Sequence, residues 1–221
     1  TSKHAAMVGS FLLEQFSGIP TNVFYASEFR YSPPPLLPNT LTIGVTQSGE
    51  TADTIAAIDM EIKRRSSKED KKFTPNLIAI TNRKESSIGR QVLNIIDICA
   101  GIEVGVAATK TFFGQLLSFY GLAIKFAQIK GTQSSEEIDK LITELVKLPP
   151  LIEDLLEQHN ESSEKLAHDF FSIKDVIFLG RGINYPIALE GALKLKEISY
   201  IHAAGYPAGE MKHGPIALLD K

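Results

Sequence analysis

A chain of 221 residues with 43% hydrophobic and 22% charged residues has room for one large domain, or for one domain and part of another, and has the makeup of an ordinary globular protein. Its formal net charge of −3, with Lys and Arg scattered and not striped, leaves no basic footprint for nucleic acid. One cysteine, Cys99, excludes an intrachain disulfide, and the longest apolar stretch, 112–129, is broken by Gln115, Lys125 and Gln128, so it reads as a buried helix and not as a membrane span. With no targeting segment visible, the chain is expected to be cytosolic. Cys99, inside an apolar strand-like run, is expected to be a small buried core residue.

The predicted elements alternate along the chain. A helix at about 3–17 precedes a strand at 21–26 and the proline-rich loop Ser32-Pro33-Pro34-Pro35. A strand at 41–45 leads to a helix at 52–65, and a charged loop fills 66–72. A strand at 76–81, a short helix near 86–92 and a strand at 95–100 follow. A long apolar helix covers about 107–129 and stops at Gly131. Residues 132–171 carry helical periodicity divided by Pro149-Pro150, and Val176-Ile177-Phe178-Leu179-Gly180 then opens a second strand–turn–helix unit. Beyond the helix at 184–200, Gly205-Tyr206-Pro207-Ala208-Gly209 reads as a turn. Strands alternating with crossover helices predict an α/β fold, a doubly wound, flavodoxin-like parallel sheet flanked by helices. The predicted division is a first domain at 1–131, a helical connector at 132–171, and the start of a second domain at 172–221.

Between the strand at 41–45 and the next helix lies Thr46-Gln47-Ser48-Gly49-Glu50-Thr51-Ala52-Asp53-Thr54. Its hydroxyls, single amide and glycine carry little bulk and offer donors at a helix N-terminus, where the macrodipole favours an anion. It has no lysine, so it is not a nucleotide loop of the GxxxxGK(S/T) kind. A plain N-cap, with Ser48 or Thr51 as cap, is the simpler reading. The hydroxyls outnumber what one cap needs, so we read a cradle for the phosphate of a phosphorylated metabolite. It sits at the carboxyl end of a strand, where open parallel sheets bind ligands.

In the helix at 184–200, Glu190, Lys194 and Glu197 fall at i, i+4 and i+7, hence on one face. Ile187, Ala188, Leu189, Ala192, Leu193, Leu195 and Ile198 surround them, so the helix is expected to be mostly buried. The trio is either a surface ion-pair stripe or a proton-transfer group, because a glutamate in a partly dry site suits the work of a general base. His213, in Lys212-His213-Gly214-Pro215, stands in a turn-rich segment. The other histidines have no comparable setting, and no Cys/His/Asp cluster has metal-ligand spacing.

The phosphate-loop string resembles that of the sugar isomerase (SIS) domain. The likeness continues in Ala26-Ser27-Glu28-Phe29-Arg30-Tyr31, in Gly105-Val106-Ala107-Ala108-Thr109-Lys110 and in Leu179-Gly180-Arg181-Gly182. It is densest in residues 188–200 and in Gly209-Glu210-Met211-Lys212-His213-Gly214-Pro215. In this order the motifs resemble the isomerase region of the glutamine:fructose-6-phosphate aminotransferase (glucosamine-6-phosphate synthase) family. That resemblance implies conversion of fructose 6-phosphate to glucosamine 6-phosphate with ammonia from glutamine, without a cofactor, in a homodimer. It implies Glu197 as the base, Lys194 as its orienting neighbour, and His213 as the residue that opens the sugar ring and reaches into the partner subunit's site. It further implies phosphate contacts from Thr1 and Ser2, a phosphate loop of Thr46, Gln47, Ser48 and Thr51, and a backbone contact to the sugar at Val106. Thr46 and Ala108 depart from the family's usual serines. Thr46 keeps a hydroxyl, whereas Ala108 has only its backbone to offer.

The chain is expected to be an internal piece of a longer enzyme. The resemblance implies a strand ending in Cys-Gly before Thr1-Ser2, a glutaminase domain elsewhere in the same chain, and a catalytic lysine beyond Lys221. The first domain is then complete but for its first strand and the second is truncated. Two rivals stand beside this reading. One is a non-catalytic sugar-phosphate regulator, which usually carries a helix-turn-helix and lacks the Glu–Lys helix. The other is a different SIS enzyme, a sugar-phosphate deglycase or a deaminating isomerase.

Overall fold

The computed structural model describes residues 1–219. In chain order the elements are α1 (Ser2–Ser17), α2 (Ala26–Tyr31), β1 (Leu41–Val45), α3 (Ala52–Ser66), β2 (Asn76–Thr81), α4 (Ser87–Gln91), β3 (Asn94–Asp97), α5 (Lys110–Lys130), α6 (Ser135–Val146), α7 (Leu148–Asp169), β4 (Asp175–Gly180), α8 (Asn184–Ser199) and β5 (His202–Pro207). Two compact units result. The first holds Thr1–Phe11 and Pro20–Gly121, and the second holds Leu12–Ile19 and the chain from Leu122 onward. Among the described residues, no helix is long and apolar enough to cross a membrane.

The first unit is built on a three-stranded parallel sheet, β1-β2-β3, with Leu41 beside Asn76 and Ile78 beside Asn94. Parallel strands need crossovers, and α3 and α4 supply them. Their inner faces place Ile58, Ile88 and Val92 over Ala79 of β2, with Ile55, Ile62 and Leu77 packed around that cluster. The charged residues of α3 are not all solvated. Glu61 and Arg65 are buried and bonded through Oε1 and Nε at 2.7 Å, and Arg65 Nη1 also donates to the Leu37 carbonyl at 3.1 Å. Arg64 Nη2 donates to the Pro34 carbonyl at 2.6 Å, so α3 moors the proline-rich loop.

Three sequence expectations fail in this unit. No strand covers 21–26; residues 21–25 pair with no strand of the sheet and Ala26 opens α2. Val23, Phe24 and Tyr25 favour extended backbone locally, but a strand also needs a neighbour for its N–H and C=O groups. β3 ends at Asp97 and not near 100, because Cys99 turns left-handed (φ 51°) and donates its N–H to Asp97 Oδ1 at 3.0 Å. Cys99 is therefore exposed, not a core residue.

The second unit carries β4 paired parallel with β5 through the register Asp175–His202 to Gly180–Pro207, with α8 as the crossover. The segment Gly205-Tyr206-Pro207, read as a turn, is strand. Gly205 permits this, since a Cβ there would come within 2.9 Å of Leu189 Cα on α8. Residues 135–169 form the two helices α6 and α7. Ser134 and Glu137 form a capping box on α6, and Pro149-Pro150 lie in the first turn of α7, where missing N–H groups cost nothing.

Candidate functional site

The turn after β1 is organised by its own hydroxyls. Thr46 Oγ1 lies 2.9 Å from Thr51 Oγ1 and accepts the Gly49 N–H at 3.3 Å, while Ser48 Oγ accepts the Glu50 N–H at 3.1 Å. Thr51 holds the N-cap position of α3 (φ −64°, ψ 111°), yet its side chain makes no capping bond. The first-turn N–H groups of a 15-residue helix thus receive no side-chain acceptor from their cap residue. The simpler N-cap reading of Thr51 fails on this geometry, and Ser48 acts on Glu50 within the turn. What remains is a set of hydroxyls and amides at a helix N-terminus, suited to an oxyanion.

The turn is held from behind by the next two strand ends. Gln47 carbonyl accepts the Asn82 N–H at 3.1 Å and the Thr81 hydroxyl at 3.4 Å. The Asn82 side chain then reaches the loop after β3, where Oδ1 accepts the Ala100 N–H at 2.9 Å and Nδ2 donates to the Gly101 carbonyl at 2.6 Å. One asparagine therefore ties together three loops at the carboxyl edge of the sheet. On the other side the Ile88 N–H donates to the Gly49 carbonyl at 3.1 Å, and the Ser87 N–H to Glu50 Oε1 at 2.8 Å. Hydrogen bonds from the Ser87 hydroxyl and N–H hold the Glu50 carboxyl below the ordinary glutamate value. Gly49 is left-handed (φ 68°) and pressed against buried Ser86, with Ser86 Oγ 1.9 Å from where a Cβ would stand. Neither need is met by a residue with a side chain.

Val106, the expected sugar contact, lies fully exposed in the 101–109 loop, with Ile102 and Val104 exposed beside it. Glu103 anchors that loop by accepting the Thr111 hydroxyl at 2.6 Å and the Thr111 N–H at 3.1 Å, at the start of α5. The Thr111 hydroxyl is the main reason the Glu103 carboxyl sits below the ordinary glutamate value. Ser2, in the first turn of α1, accepts a bond from Gln115 Nε2 at 3.0 Å, and the Thr1 carbonyl accepts the Ala5 N–H at 3.1 Å. Arg30 of α2 pairs with Asp53 in the first turn of α3, which gives two residues of the recurring motifs a structural partner. A cavity of about 440 Å³ lined by Leu36, Arg64, Ser67, Lys68 and Phe73 lies towards the other end of α3 and takes no part in the turn.

In the second unit, α8 brings Glu190, Lys194 and Glu197 together as the spacing predicts. Lys194 Nζ lies 2.6 Å from Glu197 Oε2 and 3.4 Å from Glu190 Oε1. The expected burial holds over most of the helix, where Ala188, Glu190 and Ala192 are buried, and fails over 196–199. The Glu190 side chain is 6% exposed and that of Glu197 31%, while Ile198 is also exposed, so the C-terminal turn is open. His213 is exposed in the turn following β5, its N–H donating to the Glu210 carbonyl at 2.9 Å. Among the described residues, no group of His, Cys, Asp and Glu is arranged to hold a metal.

A family model described as the SIS domain matches residues 1–125 and 169–221. The chain belongs to the SIS domain family. Across 220 residues this SIS chain is 62% identical to glutamine–fructose-6-phosphate aminotransferase (isomerizing) of Thermosynechococcus vestitus, covering 100% of this chain and 35% of that protein. It is 62% identical, with the same coverage, to the enzyme of that name from Synechocystis. The chain spans about a third of the length of these relatives. Among solved structures, the C-terminal domain of glucosamine-fructose-6-phosphate aminotransferase from Francisella tularensis aligns with TM-score 0.92 and 38% identity, over 100% of this chain and 60% of that one. Glucosamine-6-phosphate deaminase from Thermotoga maritima aligns with TM-score 0.77 and 26% identity, over 99% of this chain and 62% of that one.

Sequence reading of the SIS motifs missed Asn82, Glu50, Ser86 and Glu103, which shape the loops without a pattern of their own. Asn82 follows the last β2 residue as a lone polar side chain, and nothing in its neighbours announces that it serves three loops. Glu190 was seen as one of a stripe, but only the structure separates the buried carboxylate from the exposed one.

Proposed function

We propose that this SIS chain is the isomerase region of a glutamine:fructose-6-phosphate aminotransferase, which makes glucosamine 6-phosphate from fructose 6-phosphate with ammonia from glutamine. The observation that carries the substrate class is the β1–α3 turn, whose cap residue leaves the α3 amides uncapped while its hydroxyls crowd the same point. Identity of 62% to curated relatives of that name supports the choice of reaction.

In this reading Thr46, Gln47, Ser48 and Thr51 take the phosphate, with Thr1 and Ser2 adding hydroxyls and Val106 a backbone contact. Glu197 takes a proton from one sugar carbon and returns it to the next. Lys194, whose ammonium lies between two carboxylates, keeps Glu197 oriented through the 2.6 Å bond to Oε2. The open C-terminal turn of α8 supports that role, since a base sealed in the core meets no substrate. His213 opens the sugar ring, and as a residue on an exposed turn it acts in the site of a second subunit of a homodimer. The domains run 1–131 and 172–221 with a helical connector at 132–171, a glutaminase domain in the same full-length chain supplies ammonia, and the enzyme works in the cytoplasm in amino-sugar synthesis.

The direct test is to supply the purified full-length protein with fructose 6-phosphate and glutamine and measure glucosamine 6-phosphate. Formation of that product, dependent on glutamine, is the expected outcome. Release of ammonia from glucosamine 6-phosphate with no synthesis would instead point to a deaminase, and no turnover of either would point to a regulator.

A further inference from the structure

We propose that Glu50 is a positioning residue: it latches the β1–α3 turn onto the first turn of α4 and so holds the turn in its phosphate-binding shape. This rests on the reading of that turn as the phosphate site. Glu50 sits in the middle of the turn, where a carboxylate would repel a sugar phosphate unless its charge were engaged elsewhere. Its Oε1 accepts the Ser87 N–H at 2.8 Å, and the adjoining Gly49 carbonyl accepts the Ile88 N–H at 3.1 Å. Two consecutive residues of the turn thus bind two consecutive N–H groups of α4. Ser86, 4% exposed and the N-cap residue of α4, caps nothing with its hydroxyl and fills the space against Gly49 instead. The side-chain bond comes from residue 50 and not from the cap of α4, so α4 is fastened to the loop and the loop to α4.

The consequence is that the Gly49 and Glu50 amides keep their bonds to Thr46 and Ser48 only while the latch is closed. A released Glu50 frees the middle of the turn to rotate about the left-handed Gly49 and turns a carboxylate towards the ligand. Glu50 touches no substrate in this account. It acts through the backbone of the turn.

The test uses the full-length protein and compares Glu50→Ala, Glu50→Asp and Glu50→Gln with Thr51→Val. Glutamine keeps an oxygen that accepts the Ser87 N–H, aspartate keeps the charge but is too short, and alanine keeps neither. The expected result is a KM for fructose 6-phosphate raised about tenfold in the Ala and Asp variants, a smaller change in kcat, and near-complete recovery in the Gln variant. The latch is overturned if Ala and Asp leave KM within about twofold of the parent while Thr51→Val raises it. It is also overturned if Gln and Ala shift KM equally, because charge and not the bond would then be at work. If Thr51→Val too leaves KM unchanged, the phosphate-site reading fails along with it. A loss of folding in the Ala variant leaves the comparison of Asp with Gln to decide.

Discussion

Thr51 stands where a helix cap belongs and does not cap, and the proposed phosphate cradle rests on that departure. Its Oγ1 is paired with Thr46 Oγ1 at 2.9 Å; with buried Thr46 donating, the exposed Thr51 hydroxyl keeps its own proton for an anion. Thr51→Val keeps the shape and removes the donor. One charge-assisted hydrogen bond contributes about 1.5–3 kcal/mol, so affinity for fructose 6-phosphate should fall roughly ten- to a hundredfold in a binding titration while that for unphosphorylated fructose stays put. On α8, Glu197→Gln removes the proposed base and retains the Lys194 contact. Isomerisation in the full-length enzyme should drop by about 10²–10⁴, with glutamine hydrolysis preserved, as assayed separately. A variant isomerising near the parent rate would leave Glu197 as a partner of Lys194 only.

At the scale of elements, the loops at the carboxyl edge of the first sheet depend on carboxylates that must stay ionised. Glu103 is held below the ordinary glutamate value of 4.5 by Thr111, and Asp97 below its ordinary value by the Cys99 N–H. A carboxylate with a depressed folded-state pKa contributes stability that is fully present above the unfolded value and is lost as pH falls through the folded one. The 101–109 loop and its joint with α5 should therefore loosen first below about pH 4.5, seen as a fall in the hydrogen-exchange protection factor at Thr111, and Glu103→Ala should show the same loss of protection at neutral pH. Rapid exchange at Thr111 in the parent protein at pH 7 would contradict this. The same scale shows what was legible in the sequence. β1, α3 and β2 matched their predicted ranges closely because each has its own period and a clear stop. The strand expected at 21–26 and the turn expected at 205–209 went wrong because pairing decides strands, and pairing is not local: Val23 to Tyr25 found no ladder, whereas Gly205 to Pro207 found β4. The hydroxyl turn and the Glu–Lys–Glu face were visible, since spacing alone puts their members together. Asn82 was not, because its three loops meet only once the sheet is formed.

For the whole molecule, the account is of an SIS chain that binds a hexose phosphate by its phosphate and moves a proton on α8. If His213 serves the site of a second subunit, mixing full-length Glu197→Gln with His213→Ala chains should restore part of the activity, because one of the two sites in each heterodimer regains both residues. Subunit exchange without any recovery would rule out a shared site. The most direct measurement of the central claim is a calorimetric titration of the full-length protein with fructose 6-phosphate and, in parallel, with fructose. The account predicts measurable binding of the phosphorylated sugar and affinity for fructose lower by at least about a hundredfold, since several donors of the β1–α3 turn lose their partner together; equal affinity for the two sugars would contradict it.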